Sequence, residues 1–356
     1  MILNQQNVLF FLRSTQHGGT ENVVLQLCEI FSPLVNNIIV ASADGFAINK
    51  LELLGIKHYV IPDIENKSLS TIISVSKIIK QIVAKERITI IHTHHRMAAF
   101  YVRMLGLNKQ CQFINTSHNT FSNKRMLTRY AYSKANIVAC GEMVKKNLVD
   151  FFGLDNVTVI HNAVKPFVER VIVDDRLYKA KNEGKFLVGN IGRLSEQKGM
   201  RFFVQAVPYV IKKHPKTEFF IIGSGEDEDK LKNMTKGLPI TFMGYRTDIQ
   251  NVMCQLDLVV LSSLWEGLPL TPIEAFSVGK TIVATSVDGT LEIVRNNENG
   301  LLVEPRKIIE LADKICWMID HPTERLQMEK SALETFKKEF EFSKFAQSYV
   351  DFYEGL

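Results

Sequence analysis

Two carboxylates lie eight positions apart in Glu266-Gly-Leu-Pro-Leu-Thr-Pro-Ile-Glu274, directly after the apolar run Leu256–Leu261. A second polar cluster, Gly192-Arg193-Leu-Ser-Glu-Gln-Lys198-Gly199, also follows an apolar run, Phe186–Ile191. A guanidinium presents a fork to phosphate oxygens and an ammonium adds a mobile point charge, whereas carboxylates accept hydrogen bonds from hydroxyls. Paired cations on one strand-end loop and paired carboxylates on another suit a ligand that is part diphosphate and part polyol, such as a nucleotide sugar. Each cluster alone has a plainer reading. The Arg193–Lys198 cluster could be a solvated basic turn. Thr271-Pro272-Ile273-Glu274 reads as a capping-box helix start, with Thr271 as cap, Pro272 at the first helical position and Glu274 at the third. Glu266 sits between Trp265 and Gly267 in a loop that Pro269 keeps from becoming helical, and no capping role accounts for it.

Such loops need rigid strands behind them. Short runs dense in Val, Ile and Phe predict parallel strands covered on both faces at 8–12, 37–41, 57–61, 88–92, 112–115, 136–139 and 157–160. Amphipathic segments such as 21–31 and 70–87 lie between them, the βαβ rhythm of a doubly wound sheet. From Lys165-Pro166 to Gly184 the chain is charged and weakly patterned, and reads as the connection between domains. The rhythm then restarts, with strands expected at 186–191, 217–222, 240–243, 256–261, 281–284 and 301–303 and helices at 199–213, 227–234, 248–255, 272–276 and 307–319. Residues 342, 345, 346, 349, 350 and 353 are apolar and share one helical face, which predicts a final helix able to pack across the domain junction. The expected architecture is α/β, two Rossmann-like doubly wound domains facing across a deep cleft, with residues 1–165 and 166–340 as the domains and 341–356 returning to the first.

Length and composition agree with this. A chain of 356 residues is too long for one core, and its charged and apolar fractions are those of an ordinary globular protein. Five scattered cysteines in no metal-ligand spacing fit reduced, buried thiols. Met1–Gln6 is polar and no stretch is long and apolar enough to span a bilayer, so a cytoplasmic location is expected, at most peripheral on the inner face of the cell membrane. The net charge of +5 divides unevenly, with residues 1–165 carrying +8 and the rest −3. Lys124, Arg125 and Arg129, then Lys134, Lys145 and Lys146, lie near Phe121, Met126 and Leu127. This patch fits either an anionic membrane surface or a solvated face. A nucleic-acid partner is not expected, because the aromatic platform and known modules are missing.

The donor-side motifs closely resemble the retaining glycosyltransferases of family 4, whose fold is GT-B, of the bacterial surface-polysaccharide or glycolipid type. The signature reads SSLWEGLPLTPIEAFSVGKTIVAT, and the likeness takes in GNIGRLSEQKG, FFIIGSGE, TFMGYRTDI, Asp288-Gly289-Thr290-Leu291-Glu292 and Asn299-Gly300-Leu301-Leu302-Val303. It is weaker in the first half, at His17-Gly18-Gly19-Thr20-Glu21, Thr116-Ser117-His118-Asn119 and Val159-Ile160-His161-Asn162. The resemblance implies that Arg193 and Lys198 bind the donor diphosphate, Glu274 the ribose hydroxyls and Glu266 the hydroxyls of the transferred sugar. Backbone amides of Gly267, Leu268, Pro269-flanking chain and Leu270 would hold the sugar or its phosphate. Gly18 and Gly19 would admit the diphosphate to the first loop, and His118 would orient the sugar. Tyr245 and Arg246 would meet the base, largely through backbone. Asp288-Gly289-Thr290, Ala163 and Lys165 depart from the usual pattern, which weakens inference about the sugar while leaving the diphosphate site intact.

His92, His94 and His95 invite a metal reading, but no carboxylate or cysteine is near in sequence, so none is expected. An acceptor-side role for His94, His95 and Arg96 is expected instead. The reaction expected is metal-independent, front-side transfer from a nucleotide sugar, UDP-linked in preference to GDP-linked, to a glycan or lipid-linked acceptor. The rivals are a catalytically silent nucleotide-sugar-binding subunit and a nucleotide-sugar epimerase or glucan synthase on the same fold.

Overall fold

A computed structural model describes residues 1–15, 18–45 and 48–356. These form two compact units, Met1–Asn162 with Phe345–Leu356, and Ala163–Lys344. The first holds a seven-stranded sheet in the order β3-β2-β1-β4-β5-β6-β7, with β1 (Asn7–Ser14), β2 (Asn37–Ala43), β3 (Lys57–Val60), β4 (Ile90–Thr93), β5 (Gln112–Ser117), β6 (Asn136–Ala139) and β7 (Val157–Val159). The second holds a six-stranded sheet in the order β10-β9-β8-β11-β12-β13, with β8 (Phe186–Ile191), β9 (Thr217–Ile222), β10 (Ile240–Gly244), β11 (Leu258–Leu261), β12 (Ile282–Thr285) and β13 (Gly300–Val303). Every strand pair is parallel. The architecture is that of two Rossmann-like sheets, as the strand rhythm leads one to expect, and these are the elements of the GT-B fold that the family resemblance implies.

The apolar runs form strands because both of their faces find cover. β4, β11 and β12 are buried at every position, while edge strands β3 and β10 keep several residues partly open. In the second unit Val188, Phe219, Ile221 and Val260 meet Phe203 and Val207 of the helix Met200–Lys213 and Ile315 of the helix Ile308–Asp320. Each such fully buried side chain contributes roughly 1.5–3 kcal/mol.

The terminal helix, Phe342–Glu354, buries Phe345, Tyr349 and Tyr353, and from Phe345 onward belongs to the first unit. Its phenols are tied down. Tyr353 Oη lies 2.8 Å from His92 Nδ1, Tyr349 Oη lies 3.1 Å from Thr116 Oγ1, and that hydroxyl lies 2.7 Å from His92 Nε2.

Two helices of eight residues or more in the second unit fall outside the expected set. The stretch read as a connection contains a helix, Asp175–Asn182, capped by Asp174, whose Oδ1 accepts from the Arg176 amide at 3.1 Å. Leu177 and Ala180 are buried, and Asn251 holds the Ile172 amide at 2.7 Å and its carbonyl at 2.9 Å, so this segment is part of the second unit. The helix Pro322–Thr335 carries no clear apolar stripe and buries only Met328, Ala332 and Thr335. A pattern that sparse is invisible to periodicity.

Candidate active site

β8 and β11 are neighbours, with Asn190 paired to Val260, at the place where the strand order reverses. Open α/β sheets bind ligands beyond the carboxyl ends of strands at such a switch point. The two charged clusters leave these two strands, so they start side by side and are stitched together. The Leu264 amide donates to Gln197 O at 2.7 Å, and Gln197 Nε2 donates to Trp265 O at 3.1 Å. Ser262 Oγ donates to Lys198 O at 3.1 Å and accepts from Asn190 Nδ2 at 2.9 Å. Gly199, at φ 57°, lets the chain turn against the Ser262 carbonyl, where a Cβ would lie 2.2 Å from the oxygen.

This stitching brings Lys198 Nζ to 2.6 Å from Glu266 Oε1, and Ser263 Oγ donates to the same oxygen at 2.5 Å. Ser263 is itself held by Thr285, whose Oγ1 donates to the Ser263 carbonyl at 2.6 Å. Glu266 is buried and the Lys198 side chain only 18% exposed. A carboxylate taken out of water needs such partners. Arg193 stands differently, with its side chain 64% exposed and its Nε 3.5 Å from Glu226 Oε2. The loop after β9 supports it from behind, where the Leu194 amide donates to Ser224 O at 3.0 Å.

Glu274 lies on the helix Leu270–Ser277, and the capping-box reading is overturned there. The cap position is Pro269, no side chain caps the helix, and Thr271 is already helical. Proline fits at the third helical position because its missing N–H would have had no intrahelical acceptor. The helix therefore begins earlier than Thr271 and its first turn is left open. Glu274 makes no side-chain hydrogen bond among the described residues. Burial raises its carboxyl to about 7, with nearby Lys198 pulling the other way. Gly267, Leu268 and Pro269 are buried, and Leu270 is partly so. Tyr245 is near enough to Glu274 for that charge to raise its phenol, after burial as the larger cause. Arg246 is committed elsewhere. Its guanidinium makes two 2.7 Å bonds to Asp248 and one of 2.8 Å to Asp174, so its side chain braces the Asp175–Asn182 helix start.

The raised Glu274 carboxyl gives a pH prediction. The folded protein holds this proton more tightly than the unfolded chain, so stability is full below about pH 4.5 and drains away as pH rises towards 7. Glu274→Gln is expected to be more stable than wild type at pH 8 by about 2 kcal/mol, discounted for residual solvent contact, and equal to it near pH 4. Urea unfolding at both pH values tests this, and an equal difference at both would refute the titration.

In the first unit, Gly18 caps the helix Gly19–Phe31 in an extended conformation, and His17 lies outside the described residues. His118 and His94 are brought together, Nε2 to Nδ1, at 3.0 Å. Burial lowers His118 to about 4 and His94 well below its usual range. His95 caps the helix Arg96–Met104 by accepting from the Met97 amide at 3.2 Å, and its Nε2 lies 3.4 Å from Glu65. Arg96 lies over the Phe121 ring at 4.8 Å and reaches Thr128 at 3.2 Å. Among the described residues no three His, Cys, Asp or Glu side chains gather as a metal site. Spacing alone missed Ser263, Ser262, Asn190 and Gln197, although all are polar residues in or beside the two clusters.

The stretch 17–166 matches the family described as Glycosyltransferase Family 4, and 185–321 matches Glycosyl transferases group 1. An Escherichia coli UDP-Gal:alpha-D-GlcNAc-diphosphoundecaprenol alpha-1,3-galactosyltransferase is 27% identical over 283 residues, 71% of each chain. Anabaena HepE, solved in complex with UDP-glucose, has 21% identity and a TM-score of 0.84 over 99% of this chain and 100% of its own. A Rickettsia africae glycosyltransferase has 20% identity and a TM-score of 0.83 over 99% and 98%. With both halves matched in order and the two parallel sheets described above, the chain belongs to the family 4 glycosyltransferases of GT-B fold.

Proposed function

We propose that the protein transfers a sugar from a UDP-sugar to a hydroxyl of a glycan or lipid-linked acceptor, with retention at the anomeric carbon and without a metal ion. The observation that carries this reading is the Lys198–Glu266 pair, a cation of the kind that suits phosphate and a carboxylate of the kind that suits hydroxyls, 2.6 Å apart at the switch point of one sheet. Lys198 and the exposed Arg193 take the diphosphate, Glu266 the sugar hydroxyls and Glu274 the ribose. The open first turn of the helix Leu270–Ser277 favours negative charge. By the family pattern, His118 contacts the transferred sugar and the Gly18-Gly19 amides the diphosphate. Residues 1–165 serve the acceptor and 166–340 the donor.

As the anomeric carbon's bond to the diphosphate oxygen breaks, the acceptor hydroxyl oxygen bonds to that carbon from the same face, and its proton passes to the departing oxygen. Negative charge grows on the leaving diphosphate, and fixed cations and amides stabilise it there more than in the ground state. UDP is favoured because HepE was solved with UDP-glucose and the E. coli relative is named for UDP-Gal. That relative's diphosphoundecaprenol acceptor supports a lipid-linked one here, in surface-polysaccharide or glycolipid synthesis at the inner face of the cell membrane. No described helix is long and apolar enough to cross a membrane, so contact would be peripheral. Around Lys124, Arg125 and Arg129, Met126 is 87% and Tyr130 44% exposed, a mixture suited to anionic headgroups.

Incubation with a panel of UDP- and GDP-sugars, scored by nucleoside diphosphate release with and without polyprenyl-diphosphate sugars, tests the reading. Turnover of a UDP-sugar enhanced by a lipid-linked acceptor is expected. Binding without turnover across the panel would favour the silent subunit, and conversion of the sugar while still nucleotide-linked would favour an epimerase.

A further inference from the structure

β4 and β5 are adjacent, and His92 in β4, His94 just after it and His118 just after β5 form a row of imidazoles. The rings of His92 and His94 are 4.3 Å apart, and those of His94 and His118 are 5.3 Å apart and stacked at 22°. His92 spends both nitrogens on Tyr353 and Thr116. His94 is 4% exposed, so the acceptor-side contact expected of it is not open to its side chain. What it touches is His118, through Nδ1 at 3.0 Å. Burial keeps both rings neutral near pH 7, so one of the two facing nitrogens donates and the other accepts.

The far edge of His94 decides which. Its Nε2 is buried with no hydrogen-bond partner among the described residues, beside the rings of Phe10 and His92. An orphaned buried N–H is rarer than an under-used acceptor. The lone pair therefore belongs on Nε2 and the hydrogen on Nδ1, which donates to His118 Nε2. With Nε2 accepting, the hydrogen of His118 sits on its Nδ1, and that nitrogen makes no bond to any described residue.

We propose that His94 is a positioning residue for sugar transfer, one that fixes the ring plane and tautomer of His118 so that His118 offers an Nδ1–H donor, and not a basic nitrogen, to an oxygen of the bound nucleotide sugar. The catalytic half of this proposal rests on the glycosyltransfer reading above; the tautomer does not. The nitrogen that bonds a partner sets the state of the other in any imidazole, and a neutral donor aimed at an oxygen binds the sugar without taking a proton from it.

The full chain labelled with 15N-histidine, free of substrate, gives the tautomer directly in long-range 1H–15N spectra, with His118→Gln used to assign the signals. His118 is expected as the Nδ1–H form in wild type, and as mostly the Nε2–H form, which isolated imidazoles prefer, in His94→Phe. In the same variant kcat should fall about 10- to 100-fold, with donor KM moving less than about threefold. His94→Asn places an amide donor where Nδ1 was, and should recover the tautomer and bring kcat to within about fivefold of wild type. An Nε2–H His118 in wild type overturns the proposal, as does unchanged kcat in His94→Phe. If His94→Phe does not fold, the wild-type tautomer and the His94→Asn rate decide. Wild-type protein that shows the Nδ1–H form yet turns over no nucleotide sugar overturns the catalytic half together with the proposed function, and the substrate-free spectrum tells that failure from the other.

Discussion

Lys198→Ala is expected to slow sugar transfer by about 10³-fold, the scale on which removing one preorganised donor to developing charge acts. The geometry adds a second effect. Lys198 is the cation on the buried Glu266 carboxylate, 2.6 Å away, and alanine leaves that carboxylate with Ser263 as its remaining hydrogen-bond donor. An uncompensated buried charge costs several kcal/mol, reduced here because Lys198 keeps some solvent, so unfolding free energy should fall by about 2–3 kcal/mol. The two effects separate in Lys198→Ala/Glu266→Gln. Neutralising both partners should restore most of the stability, while transfer stays slow because the diphosphate still lacks its cation. Urea unfolding and nucleoside diphosphate release on the same samples measure both. Near-normal transfer in the single variant would remove Lys198 from the donor site. Recovery of transfer in the double variant would show that the single variant failed through instability alone.

That pairing was legible in the sequence in part. Both clusters follow apolar runs, and the runs are strands because Leu, Val and Ile at those positions are buried on both faces. The reason the clusters meet is the strand order, which places β11 beside β8 with 66 residues between the end of β8 at Ile191 and the start of β11 at Leu258, and no local pattern encodes that adjacency. The capping-box reading of Thr271 failed because Pro272 is compatible with the first and the third helical positions alike, so spacing could not choose between them. Asp174 and Arg176 read as linker because their helix gains its place from contacts with Asn251 and Gln255, about eighty residues on. His94 read as an acceptor-side contact because the ring it bonds, His118, follows another strand, β5. Apart from Thr271, these misses concern residues whose place is set by a partner distant in sequence.

Gly289→Ala is the sharpest test of how the second unit shapes its acidic loop. At φ −65° and ψ −8° the backbone of Gly289 is one that alanine adopts freely, so conformation alone predicts a gain of about 0.4–1 kcal/mol. Contact predicts the reverse. A Cβ there would lie 1.7 Å from Gly267 O and 2.7 Å from Gly267 C, and these are backbone atoms with no rotamer to yield. Gly267 follows Glu266 and is buried, so relief has to come from moving the loop that carries the carboxylate or the turn that carries Asp288, already at φ 28°. Overpacking against backbone outweighs the entropic gain, and a net loss of about 3 kcal/mol is expected, with donor KM raised because Glu266 and the start of the helix Leu270–Ser277 shift together. Gly279→Ala is the matched control. Its φ of 67° disfavours alanine, but nothing lies within 4 Å of its Cβ position, so about 1 kcal/mol should be lost and donor KM should hold. A ranking by backbone angle alone puts Gly279→Ala as the more damaging; the close approach of two loops puts Gly289→Ala first, and denaturation of the two variants side by side decides between them.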